Sequence, residues 1–170
     1  MHIHLSDSLT GGQESRAYEA ELGFDLFDDG VNRYPVVQKD PVRLRVTKIG
    51  EKRLLFEAEV SFSMLIPCDR CLEPVVVPFS YEVNRKADFG EGASEEETAY
   101  LVEGYTLDVD ALVRDELFMY MPAKVLCRED CKGICNRCGA NLNQGDCGCD
   151  RTEPDPRMAK VRDIFRDANQ

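Results

Sequence analysis

Eight cysteines arranged in four close pairs constrain this chain more than any other feature: Cys68/Cys71, Cys127/Cys131, Cys135/Cys138 and Cys147/Cys149. A disulfide framework belongs in an oxidising compartment. The N-terminal residues Met1-His2-Ile3-His4-Leu5 carry no basic patch followed by an apolar signal core, so a cytoplasmic location is expected. Pairs at such short spacing instead place two thiolates on one turn, aimed at a common point, as a tetrahedral metal requires. Cys135-Asn136-Arg137-Cys138-Gly139 reads as a knuckle in which glycine relieves the backbone while N–H groups turn toward the sulfurs. Cys147-Gly148-Cys149 follows after eight residues, across a turn-rich connection containing Asn141, Asn143 and Gly145. Cys135, Cys138, Cys147 and Cys149 are therefore expected to form a self-contained metal site. Zinc is the first expectation, because C-x-x-C followed by C-x-C suits a closed structural site better than ferredoxin spacings do; iron or an iron–sulfur cluster comes next.

Counting thiols leaves Cys68, Cys71, Cys127 and Cys131 as a second four-cysteine site. No spacing requires that pairing, and reduced, partly buried thiols are the other reading of these four. A redox C-x-x-C is disfavoured because no βαβ pattern surrounds Cys68. Imidazole ligation is also disfavoured, since the only histidines, His2 and His4, read as the wet face of a first strand.

The pattern up to about residue 85 is strand after strand. Ile3 and Leu5 alternate with His2 and His4, the run Arg16 to Phe24 mixes β-formers with charges, and Val42-Arg43-Leu44-Arg45-Val46 alternates cleanly. The long runs 53–66 and 75–83 flank a short segment bounded by Pro67 and Pro74, which predicts an antiparallel hairpin with Cys68 and Cys71 at its tip. The acidic stretch Asp88 to Thr98 reads as a solvated loop. A helix is expected over 108–121, with Asp108 as N-cap, one face of Leu112, Val113, Glu116, Leu117 and Tyr120, and Pro122 as its stop. Asp155-Pro156 reads as the start of a terminal helix, whose stripe of Met158, Val161, Ile164 and Phe165 is expected to dock on the protein itself. The expected fold class is α+β: a mostly antiparallel β-sheet body with one packed helix, then a C-terminal cysteine-rich zinc knuckle and a terminal helix. The expected domains are an acidic β-rich body, 1–123, and a metal-binding tail, 124–170.

Charge narrows the function classes. The chain holds 21 Lys and Arg against 32 Asp and Glu, a formal net charge of −11. Residues 124–170 are near neutral, with nine basic and eight acidic side chains, so the deficit lies in the body at −12. Such a body repels a phosphate backbone and suits docking to a basic protein, leaving the tail as the place for any RNA contact. No apolar run approaches the ~18–20 residues of a membrane span. No nucleophile elbow, phosphate-cradling glycine loop or H-E-x-x-H occurs, and four thiolates leave a zinc ion no open position, so a non-enzymatic protein without a small-molecule substrate is expected.

Cys68-Asp69-Arg70-Cys71-Leu72-Glu73 after a β-rich half, Cys131-Lys132-Gly133-Ile134-Cys135, Cys138-Gly139-Ala140-Asn141-Leu142-Asn143, Cys147-Gly148-Cys149 and Asp155-Pro156-Arg157 together resemble the YceD family. Its members are described as large ribosomal RNA subunit accumulation proteins, bacterial and plastid factors needed for normal levels of 23S ribosomal RNA. The resemblance implies a partner in the pre-ribosomal large subunit, a ribosomal protein or 23S rRNA itself. Because some members lack the tail cluster, it also implies a shared surface around Cys68 to Glu73. Arg70 is then the residue to test for a partner contact, against the plainer reading of a solvated turn arginine. The alternative function is a zinc- or thiol-based regulatory binding protein in which Cys68 and Cys71 form the switch.

Overall fold

A computed structural model describes residues 2–10, 15–90, 102–103, 105–150 and 158–168. The chain divides into two compact units, Met1–Pro67 with Pro74–Val125, and Cys68–Glu73 with Leu126–Gln170.

The first unit holds nine described strands: β1 (His2–His4), β2 (Ser15–Ala20), β3 (Leu26–Asp28), β4 (Arg33–Lys39), β5 (Val42–Gly50), β6 (Arg53–Pro67), β7 (Pro74–Asp88), β8 (Val102–Glu103) and β9 (Thr106–Asp108). Helix α1 (Ser6–Thr10) follows β1, and α2 (Val109–Tyr120) follows β9. Every strand pair is antiparallel. One sheet has the order β1-β9-β8; the larger has the order β2-β5-β6-β4-β3, with β7 also paired to β6. The expected hairpin is present and longer than its two sequence runs, with an unbroken register from Arg53↔Asp88 to Pro67↔Pro74.

Period-two alternation makes β6 the spine of the core. Leu54, Phe56, Ala58, Val60, Phe62, Met64 and Ile66 all lie on its buried face. Phe62 sits opposite Phe79 of β7, with stacked rings 5.4 Å apart at their centroids, a cross-strand pair that helps fix the register. Helix α2 starts where expected: the Asp108 side chain accepts the N–H groups of Asp110 and Ala111 at 2.9 and 3.3 Å. It buries Val109, Leu112, Val113 and Leu117. Two polar ties join α2 to β7: Tyr81 donates its hydroxyl to the Val113 carbonyl at 2.9 Å, and Arg85 bonds Asp115 and Glu116. Burial of the hydroxyl and ring, with Glu116 nearby, keeps Tyr81 protonated well above the usual phenol range.

The sequence run from Arg16 to Phe24 is a strand only as far as Ala20; Leu22 and Phe24 stay buried beyond it. Asp88 closes β7, whereas residues 91–98 of the acidic stretch lie outside the described residues. So does the expected helix start at Asp155 and Pro156. In the second unit, α3 (Ala159–Ala168) forms, and the side chains of its stripe, Met158, Val161, Ile164 and Phe165, are exposed rather than buried. The physical reason lies in that unit's composition. Among the described residues its buried apolar side chains are four cysteines and Leu142, too little surface to cover a helix face.

Candidate metal centres

The second unit begins as a six-residue turn, Cys68–Glu73, and resumes at Leu126. The turn is closed by two backbone bonds: the Cys68 N–H donates to the Glu73 carbonyl, and the Leu72 N–H donates to the Cys68 carbonyl, each at 2.9 Å. Leu72, directly after the Cys68/Cys71 pair, adopts a left-handed φ of 63°. Cys127 and Cys131 complete the set. All four sulfurs lie within 4.8 Å of one another, with Cys68 to Cys131 at 3.8 Å and Cys71 to Cys127 at 3.6 Å. A disulfide needs about 2.05 Å. Four sulfurs at ~2.3 Å from a central tetrahedral ion stand about 3.8 Å apart, so the observed spacing is that of a ligand cage.

Cys135, Cys138, Cys147 and Cys149 form the other set, again with sulfurs mutually within 4.8 Å. The knuckle expected from sequence is formed: Gly139, at φ 74°, donates its N–H to the Cys135 carbonyl at 2.9 Å, and Gly148 also takes a left-handed φ of 70°. Each set can hold one metal ion. All eight cysteines are free thiols.

The electrostatics of both cages is uneven in the same way. Burial pushes the Cys68 thiol up, but the backbone N–H groups of Arg70, Cys127 and Cys71 outweigh it and bring it down to about 6. Backbone N–H groups of Cys138 and Arg137 do the same for Cys135, also to about 6. By contrast, burial and the neighbouring sulfurs push Cys127 up to about 12, and Cys138 and Cys147 push Cys149 up to about 12. One thiol of each set thus ionises readily and another resists, because like charges this close cannot accumulate unless a cation sits among them.

A polar frame that the sequence reading did not assign holds the first cage. Asn143 donates its side-chain amide to the Cys131 sulfur at 3.3 Å, while its Oδ1 accepts the Lys132 N–H and the Arg128 guanidinium, both at 2.8 Å. Asn141 accepts the Asn143 backbone N–H at 3.0 Å and donates to Glu73 at 3.2 Å. Gly133, at φ 77°, lets the Ile134 N–H reach the Arg70 carbonyl at 3.0 Å; a Cβ there would meet that carbonyl oxygen at 2.9 Å. Arg70 itself donates to the Cys131 carbonyl at 2.8 Å, which ties the turn to the Cys131 segment. The signal for these roles was the Asn-Leu-Asn spacing after Gly139, visible in sequence only as a turn.

The family described as large ribosomal RNA subunit accumulation protein YceD matches residues 56–165, a span that includes every cysteine of both cages. The chain belongs to the YceD family. Among similar proteins of this kind, the uncharacterized protein YlbN of Bacillus subtilis is 28% identical over 131 residues, covering 74% of this chain and 75% of that protein. The large ribosomal RNA subunit accumulation protein YCED homolog 1, chloroplastic, of Arabidopsis thaliana is 28% identical over 104 residues, 56% of this chain and 32% of its own. An uncharacterized protein of Mycobacterium tuberculosis is 29% identical over 126 residues, 72% of this chain and 60% of its own. The chain thus spans less than two thirds of the length of the last two. No solved structure matches the chain. Among the described residues, no helix is long and apolar enough to cross a membrane.

Proposed function

We propose that this YceD-family protein is a non-enzymatic factor that supports accumulation of 23S ribosomal RNA by binding a component of the pre-ribosomal large subunit, and that each cysteine cage holds one zinc ion. The observation that carries the reading is family membership over residues 56–165, in a family described by large ribosomal RNA subunit accumulation. The Arabidopsis relative bears the same description in its name. Zinc suits four thiolates in a closed tetrahedral cage, and such a cage leaves no position for water or substrate, so its role is to hold the unit's shape. Free thiols suit the reducing cytoplasm.

The partner surface is chiefly protein. The body at −12 repels phosphate and attracts basic ribosomal proteins, and the near-neutral tail is where RNA contact belongs. The test is to isolate the tagged full chain at low salt and identify its companions, then to compare binding to naked 23S rRNA fragments with binding to a large-subunit precursor. Weak, steeply salt-dependent binding to naked RNA and retention by the precursor are expected. Absence of any ribosomal component from the isolate overturns the reading. Tight, salt-resistant binding to naked RNA overturns the protein-contact part of it.

A further inference from the structure

Strand β7 borders the six-stranded sheet along its whole length, since β6 is its one strand partner among the described residues. In an antiparallel ladder, alternate residues exchange N–H and C=O with the neighbour and the residues between turn theirs away. Phe89 fixes the phase: its N–H donates to the Lys52 carbonyl at 2.8 Å, in the register that continues through Arg53↔Asp88 to Pro67↔Pro74. The odd-numbered residues of β7 therefore face β6. Val76, Ser80, Glu82, Asn84 and Lys86 aim their N–H groups outward, and Pro74 and Pro78, which have none, belong to the same outward set. Those five N–H groups have no partner among the described residues, and all five residues are exposed.

A row of unpaired strand groups is a template for another strand, and proline is one of the devices that closes such an edge. Here Pro74 and Pro78 close the first half of β7 and leave Ser80 to Asp88 open. Glu82 in that open half lies directly opposite Glu59 of β6, which Arg43 of β5 already pairs at 3.5 Å, so Glu82 is the carboxylate of the two that a cation from outside would serve.

We propose that a second copy of this chain pairs with the open half, β7 against β7, antiparallel about a two-fold axis at Asn84. Register decides the occupant. Outward residues must meet outward residues, and with the axis at Asn84, Glu82 of each copy faces Lys86 of the other while Ser80 faces Asp88. Each Lys86 then gives Glu82 of the opposite copy a cross-strand cation. An axis at Val83 would draw Pro78 into the ladder opposite Asp88, and an axis at Arg85 would set Glu82 against Asp88. Only the Asn84 register, among these neighbours, matches opposite charges and leaves Pro78 outside. The contact is isologous, so it closes as a dimer and joins the two larger sheets into one.

The experiment is sedimentation equilibrium of the full, metal-loaded chain over a range of micromolar concentrations. The native chain is expected to dimerise. Lys86→Glu sets Glu82 against a glutamate twice over, as Glu82→Lys sets Lys86 against a lysine, and each is expected to weaken the dimer by about tenfold or more. The double variant Glu82→Lys/Lys86→Glu restores the pairing. Asn84→Pro removes an outward N–H, not one bonded to β6, and is expected to yield a monomer whose far-ultraviolet circular dichroism is that of the native chain. A native chain that stays monomeric, including one whose edge is instead taken by a strand of another protein, overturns the proposal. So does a dimer indifferent to the two charge reversals.

Discussion

Asn143 does the work of several residues at once, and that is why it tests the cage. Its amide N–H points at the Cys131 sulfur while its Oδ1 collects the Lys132 N–H and the Arg128 guanidinium. The Asn143 N–H···S bond stabilises the thiolate form that a metal needs: burial pushes Cys131 up, but this bond and the Gly133 N–H bring it below the usual thiol range. Hydrogen bonds behind the ligands orient them, and their loss typically weakens metal binding ~10–100-fold. Asn143→Ala is expected to lower the affinity of the Cys68/Cys71/Cys127/Cys131 cage by that range and to leave the Cys135/Cys138/Cys147/Cys149 cage within a few-fold of native. Alkylation of each cysteine, followed by mass spectrometry as a chelator is titrated, reads the two cages separately; equal loss from both would refute the assignment. Gly133→Ala attacks the same cage through the backbone. It forces a Cβ to 2.9 Å from the Arg70 carbonyl oxygen at a left-handed φ, and a destabilisation of at least about 1–2 kcal/mol is expected in chemical denaturation of the second unit.

At the scale of elements, the parts that were legible in sequence carry their signals locally. Alternation and the flanking prolines mark the β6–β7 hairpin; Asp108, the 3.6-residue period and Pro122 mark α2. Asp108→Ala removes the acceptor for two N–H groups at the start of α2 and is expected to cost about 0.5–2 kcal/mol in equilibrium unfolding of the β body. Asp108→Asn or Asp108→Ser should recover most of that loss, which separates capping from charge. Other parts resisted reading because their signals are short or distant. Leu26–Asp28 and Val102–Glu103 are too brief to show a period, and β3 depends on a turn in which the Asp28 and Asp29 carboxylates accept the N–H groups of Gly30, Val31 and Asn32. The grouping of Cys68 and Cys71 with Cys127 and Cys131 was legible only by counting thiols, because it joins positions 56 or more residues apart that no local spacing links. The α3 stripe is the opposite case: its helical period is real, but a period does not say how deeply the stripe is buried.

At the scale of the whole molecule, the two units rest on different physics. The first buries a continuous apolar cluster running from Ile3 to Val125 and has a hydrophobic core of its own. The second comprises about 50 residues and buries, among those described, little beyond cysteine sulfur and Leu142. Units this small usually need a metal or a cross-link, because the apolar surface they bury does not offset the conformational entropy lost on folding. Its backbone bonds are short-range turn and knuckle closures, among them Cys135 N–H to the Ala140 carbonyl, Gly139 N–H to the Cys135 carbonyl and Leu142 N–H to the Gly133 carbonyl. Structural zinc in finger peptides contributes ~10–16 kcal/mol of apparent binding energy at neutral pH, far more than those bonds supply. Removing metal with a strong chelator is therefore expected to abolish amide-exchange protection at Cys135, Gly139 and Leu142, while amides of the paired β6 and β7 residues keep theirs. Elemental analysis before and after chelation counts the ions, with two zinc per chain expected in the native protein, one for each cage. The order of loss is itself informative: if the cages are independent, a chelator series should release each with its own midpoint, and Asn143→Ala should move only that of the Cys68 cage. A chain verified metal-free by elemental analysis, whose residues 126–150 remain as protected as before, would show that the second unit is held by something other than its cysteine cages.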